Sequence, residues 1–129
     1  MKSWFFVLFS LLVFVTCDNV TFSPLVGKWQ LKTVEKNGEI TLVDTVWYNF
    51  QSISLFSLQI YEPQEDNYLS FEGVRTQKDK VISITLFLES SCDHSDWNST
   101  NRSFSIVNMN RQRLLLQGEE GYFYSFIKF

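Results

Sequence analysis

Residue types on which catalysis and metal binding usually depend are nearly missing from this sequence: one histidine and two cysteines in 129 residues. Cys92, Asp93 and His94 form the only local group of metal-ligand types, short of the four ligands that a structural zinc site takes. A Cys92 nucleophile would need His94 to fold back from the same loop and act as its base. Carboxylates are common, yet Glu35, Asp44, Glu62, Glu72 and Glu89 fall near strand ends or on outward faces. No two are set together so that their pKa values separate, as general acid and base require. The sequence therefore predicts no catalytic residue, no cofactor and no metal site, and the protein is not expected to be an enzyme.

Positive charge is also thin. Eleven Lys and Arg stand against fourteen Asp and Glu, a net charge of -3. The basic residues are spread along the chain from Lys28 to Lys128, whereas a phosphate-binding surface needs them clustered, so no nucleic-acid partner is expected. Lys78 and Lys80, flanking Asp79, read as a solvated turn. Long apolar runs are missing except for one at the start, Trp4 to Val15, interrupted only by Ser10. About twelve residues are too short to span a bilayer and fit, after Met1-Lys2, the apolar part of a signal peptide.

A cysteine stands almost directly after that run. Leu12-Val13-Phe14-Val15-Thr16-Cys17 resembles a loose lipobox, with Phe14 where leucine and Thr16 where a small residue is usual. Lipidation of Cys17 would place several acyl chains in the bilayer, each buried methylene contributing roughly 0.8 kcal/mol. The expected organisation is a signal peptide over residues 1–16, a lipid-anchored neck over 17–24 and one domain over 25–129. The partner implied is the membrane, through this N-terminal lipid. The alternative is plain secretion, in which Cys17 and Cys92 could pair as one disulfide. Asn19, Asn98 and Asn101 match the Asn-x-Ser/Thr pattern, which matters only in a eukaryotic secretory chain.

The domain itself reads as strands. In Gly27-Lys28-Trp29-Gln30-Leu31-Lys32-Thr33, Trp29, Leu31 and Thr33 project to one side and the polar residues to the other. Asn37-Gly38 predicts a tight hairpin, and Ile40 to Val43 is either a short strand or the edge of a loop. Further strands are expected over 46–51, 55–62, 68–75, 81–89, 102–109, 113–117 and 122–129. Val46, Tyr48 and Phe50 share one face, with Trp47 on the other. The alternation is strongest over 81–89, where Ile82, Ile84, Leu86 and Leu88 oppose Ser83, Thr85 and Phe87. Ser90 to Asn101 is the one long polar break, and its Trp97 either plugs an end of the fold or touches a partner. The last strand is apolar on both faces and should be covered. No segment of helical period exceeds a turn or two. About eight short sequential strands predict an all-β, eight-stranded antiparallel up-and-down barrel, with a two-sheet sandwich as the alternative.

Three stretches carry a resemblance: Gly27-Lys28-Trp29-Gln30-Leu31, the aromatic Trp47-Tyr48-Asn49-Phe50, and the closing hairpins from Phe104 through Leu114-Leu115-Leu116 to Tyr122–Lys128. Together they resemble the small lipocalin-like domains of exported Bacteroidetes lipoproteins, over most of residues 25–129. The resemblance implies a closed or nearly closed calyx on an N-terminal lipid anchor, facing the periplasm or the cell surface from the outer membrane. The mature part carries nine Phe, three Trp and five Tyr. That much ring surface favours a binding module for a small apolar or amphipathic ligand, with Trp97, Trp47, Tyr48 and Phe50 as candidate mouth contacts. The alternative is a filled barrel serving as a structural or protein-interaction domain with an envelope protein as partner.

Overall fold

The computed structural model describes residues 24–129. The expected signal peptide, Cys17 and the neck up to residue 23 lie outside the described residues. Nine strands succeed one another: β1 (Gly27–Lys36), β2 (Glu39–Leu42), β3 (Val46–Phe50), β4 (Leu55–Glu62), β5 (Asn67–Lys78), β6 (Val81–Leu86), β7 (Asn101–Met109), β8 (Arg113–Gln117) and β9 (Tyr122–Lys128). They form one antiparallel sheet, and β1 pairs with β9 from Trp29 opposite Lys128 to Lys36 opposite Tyr122, so the sheet closes on itself.

The closed barrel has eight staves, as expected, because β2 and β3 are two halves of one. Residues Gly27–Gln30 of β1 pair with β3, and Thr33–Lys36 pair with β2 along the same edge. Val43-Asp44-Thr45 interrupts the stave, and β1 bridges the gap: Val43 N–H donates to the Lys32 carbonyl at 2.8 Å and Gln30 Nε2 to the Asp44 carbonyl at 2.8 Å. The stretch around Ile40 is thus strand, and both its large apolar side chains, Ile40 and Leu42, are exposed.

Alternation places Trp29, Tyr48, Phe50, Phe56, Phe104 and Phe126 on the inner face, all at 1% exposure or less. Each such ring contributes roughly 1.5–3 kcal/mol by leaving water. Two departures from strict alternation appear. A bulge at Lys32 shifts the register of β1 against β9, so Val34 rather than Thr33 turns inward. The strand expected to run to Glu89 ends at Leu86, leaving Phe87 and Leu88 63% and 58% exposed. Its pairing with β7 ends where the Leu86 N–H donates to the Thr100 carbonyl at 2.9 Å, and Phe87 and Leu88 have no partner on that side among the described residues. They turn into a short 3-10 helix, Glu89–Asp93. Close approach of β5 to β6 depends on Gly73, where a Cβ would stand 2.3 Å from the Thr85 carbonyl oxygen.

The connections sort to two ends. At the closed end lie residues 24–26, the loop 51–54 and the turns at 79–80 and 110–112; at the other lie the turns 37–38, 63–66 and 118–121 and the segment 87–100. Leu25 seals the closed end, fully buried, and its carbonyl accepts the Trp29 indole N–H at 2.9 Å. Gly27 permits this path into β1 with φ of 136°, a backbone angle costly for any residue with a Cβ. Arg75 turns inward beside them, donating to the Ser52 carbonyl at 2.9 Å with its guanidinium 5.2 Å from the Phe50 ring centre.

Candidate functional site

The polar segment 87–100 folds over the mouth and sends Trp97 down into the barrel. The indole is 2% exposed. It stacks on Phe56 with ring centres 6.2 Å apart, meets Tyr48 and Phe104 at 6.1 and 6.0 Å, and donates its N–H to the Tyr48 hydroxyl at 3.1 Å. Ser-Asp-Trp is able to do this because Asp96, one residue before the ring, is held at the rim: Arg102 Nη1 approaches its carboxylate at 3.3 Å, and the Tyr124 hydroxyl donates to its other oxygen at 3.3 Å. Arg102 Nη2 also donates to Tyr124 and lies 3.6 Å from Glu119. A second tie is His94, whose Nδ1 lies 2.9 Å from Glu62 on β4 while its ring stacks on Phe71 at 5.9 Å.

These ties set the local electrostatics. Burial raises the Tyr48 phenol far above its ordinary range, against the opposing pull of the Arg102 charge. Tyr124 is pushed up to about 12, again by burial first. Burial also works against the Arg102 cation, but the two phenols with Asp96 and Glu119 outweigh it, and the group's pKa is raised. All three groups keep their neutral-pH charge states, so the cluster is a fixed scaffold at neutral pH.

Beside Trp97 a cavity of about 340 Å³ remains at the mouth. Its apolar walls come from Leu31 and Val34 of β1, Val43 and Val46 around the broken stave, and Leu58 of β4; Tyr48 and Trp97 also line it. Lys36, His94, Ser95 and Asp96 supply a polar rim. A smaller cleft of about 230 Å³ adjoins it, sharing Lys36 and Asp96 and adding Arg102, Tyr122 and Tyr124. Among the described residues no three His, Cys, Asp or Glu side chains converge as a metal site. Cys92 is a half-buried thiol in the 3-10 helix of the mouth segment, packed against the core.

Of the four aromatic residues singled out in the sequence, Trp97 and Tyr48 line this cavity and the other two do not. Trp47 projects from the outer wall, where Tyr68, Phe129 and the Lys28 ammonium cover it. Phe50 points inward but lies at the closed end, opposite Gly27. The aliphatic walls carried no distinguishing signal, since inward Leu and Val look alike at either end of a stave. The bulge at Lys32 and the break at Val43-Asp44-Thr45 further hid Val34 and Val43. Asp96 and His94 read as loop polarity because their partners, Arg102, Tyr124 and Glu62, are placed by folding.

A family model described as a lipocalin-like domain matches residues 11–129. The chain belongs to this lipocalin-like family. A solved lipocalin-like protein from Bacteroides uniformis is 28% identical with a TM-score of 0.74, covering 83% of this chain and 100% of its own. An uncharacterized protein from Bacteroides eggerthii is 27% identical with a TM-score of 0.70, covering 81% of this chain and 98% of its own. No curated protein matches. The lipocalin-like barrel expected from the aromatic strands is therefore the fold of this chain, and these two structural relatives come from Bacteroides species.

Proposed function

We propose that this lipocalin-like domain is a non-catalytic binding module that takes one small apolar or weakly amphipathic molecule at its mouth. The observation that carries the reading is the cavity of about 340 Å³ between Trp97 and the broken stave, apolar in its walls and polar at its rim. Ligand sites have this character, and their volumes begin near ~300 Å³. The volume is about twice that of a ~150 Å³ cavity that admits one benzene. A compact ring system or short chain fits; a long acyl chain does not, because Trp97 and Phe56 occupy the space below. Export and a lipid anchor on Cys17 at the outer membrane belong to the same reading, supported by the apolar run and the cysteine after it.

The test is binding of a panel of small apolar and amphipathic probes, including envelope lipid extract, to wild type and to Val43→Trp, which fills the cavity from its wall. Binding by wild type with loss in Val43→Trp, at unchanged circular dichroism, supports the module. A second reading rests on the outer-wall cluster of Trp47, Tyr68 and Phe129, two of them well exposed at 70% and 68% for Tyr68 and Phe129. If no probe binds wild type, a structural or interaction domain using that wall is the better account.

A further inference from the structure

We propose that the closed end of the barrel is a docking face for an anionic lipid surface, leaving the mouth turned towards solution. Basic residues that are scattered in the sequence are gathered there by the register. Lys28 and Lys128 sit near the closed-end termini of β1 and β9, Lys78 and Lys80 flank the β5–β6 turn, and Arg111 and Arg113 surround the β7–β8 turn. None of these six has a carboxylate partner among the described residues, whose ion pairs are those of His94 and Arg102. The one acidic residue in those connections is Asp79.

The opposite end carries the reverse charge. Glu39, Glu62, Glu65, Asp66, Asp96 and Glu119 crowd the mouth turns and its covering segment, and Lys36 and Arg102 are the cations set among them. A net charge of -3 for the whole chain therefore conceals a positive pole and a negative one. At physiological salt only charges within about 8 Å of a surface are felt strongly, so orientation decides the sign that a membrane meets. Exposed apolar side chains stand among the basic ones: Ile53 at 74%, Phe129 at 68% and Leu55 at 47%. Clustered cations with apolar tips match a layer of phosphate headgroups over hydrocarbon.

The path of the chain gives the same orientation. The described residues begin at Pro24, on this end, and the eight residues 17–24 span at most about 28 Å fully extended. If Cys17 is acylated, the basic end is the one held at the bilayer. The docking face itself needs no acyl group, so the two claims are separable. With the closed end on lipid, the mouth cavity opens to water and exchanges its occupant with solution.

The test uses the chain from residue 17 on with Cys17→Ser, so that no acyl group contributes; the barrel closure and the buried core both lie within it, and a cooperative urea melt checks its fold before binding is measured. Co-sedimentation is measured with phosphatidylglycerol/phosphatidylcholine vesicles and with pure phosphatidylcholine. The expected result is at least about tenfold tighter binding to the anionic vesicles, lost on raising salt from about 0.1 to 0.5 M. Lys78→Glu/Lys80→Glu/Arg111→Glu should abolish it, and Lys80→Glu alone should weaken it where Lys32→Glu, on the wall nearer the mouth, does not. These turn positions are exposed, and circular dichroism checks the fold of each variant. Equal binding to both vesicles, wild-type binding by the triple variant, or binding to soluble dextran sulfate without binding to vesicles overturns the proposal.

Discussion

At the closed end the barrel is sealed by its own staves and by Leu25, packed around Trp29; at the mouth it is sealed by the segment 87–100, which reaches in from outside with Trp97. Both indoles are buried and both donate a hydrogen bond, one to a backbone carbonyl four residues away and the other to a phenol on a distant strand. The difference lies in what holds each plug. Trp29 is part of a paired strand and cannot leave without unzipping β1. Trp97 hangs from a segment tied by two side-chain clusters, His94 with Glu62 and Asp96 with Arg102 and Tyr124. A small barrel can thus keep one end as its foundation and use the other for exchange, with large rings at both.

Breaking the foundation should have the largest effect. Trp29→Ala should cost about 3–5 kcal/mol, a large share of the stability of a domain this size, measured in urea melts. A loss below about 1 kcal/mol would mean that the ring does not carry the closed end. Trp97→Ala should cost somewhat less, about 2–4 kcal/mol, because the segment above it can settle into the space. It should also let the mouth accept larger probes, an outcome that Trp29→Ala should not share. If Trp97→Ala bound fewer probes at an unchanged midpoint, Trp97 would be a ligand contact alone and not a plug.

Between those two rings lies the difference in what could be read from the residues. Trp29 was legible on the apolar face of its strand because it sits in a period-two run with a turn signal, Asn37-Gly38, after it. For Trp97 the plug was one of two open readings, since its place depends on the Tyr48 hydroxyl and on Asp96 meeting Arg102 across gaps of 49 and 6 residues. For Phe50 the inward face was legible and the distance from the mouth was not, because height along a stave depends on barrel tilt. The scattered lysines and arginines hid their grouping in the same way. Spacing along the chain says little about which end of an up-and-down barrel a residue reaches.

Gly73→Ala sharpens the wall that joins the two ends. Its Cβ would press on the Thr85 backbone, and overpacking of this kind costs about 1–3 kcal/mol, without altering either plug. Alkaline pH acts at the mouth. Tyr124 moves from 10.0 unfolded to about 12 folded and Tyr48 moves up as well, so the neutral phenols favour the folded state. That contribution is complete below pH ~10 and is lost as pH rises towards and through the folded values. Denaturant midpoints should fall from about pH 10 to 12, less steeply in Tyr124→Phe. The smallest effect belongs to Glu62→Gln, which weakens the exposed tie to His94 and should change stability by no more than about 1 kcal/mol. Its readout is the exchange rate of a bound probe, expected to rise as the segment loosens.

The pairing of β1 with β9 has a kinetic consequence. Trp29 and Lys128 stand opposite each other although nearly the whole domain separates them along the chain. Closing so long a loop is entropically costly and slow compared with forming the hairpins between neighbouring staves. The meander from β1 to β8 can assemble hairpin by hairpin, but the second edge of β1 must wait for β9. Until the C-terminal residues have left the ribosome and any export channel, the sheet has two open edges and no sealed base. Trp29 fluorescence should therefore report the final step of folding, and removal of β9 should leave a chain that collapses without closing.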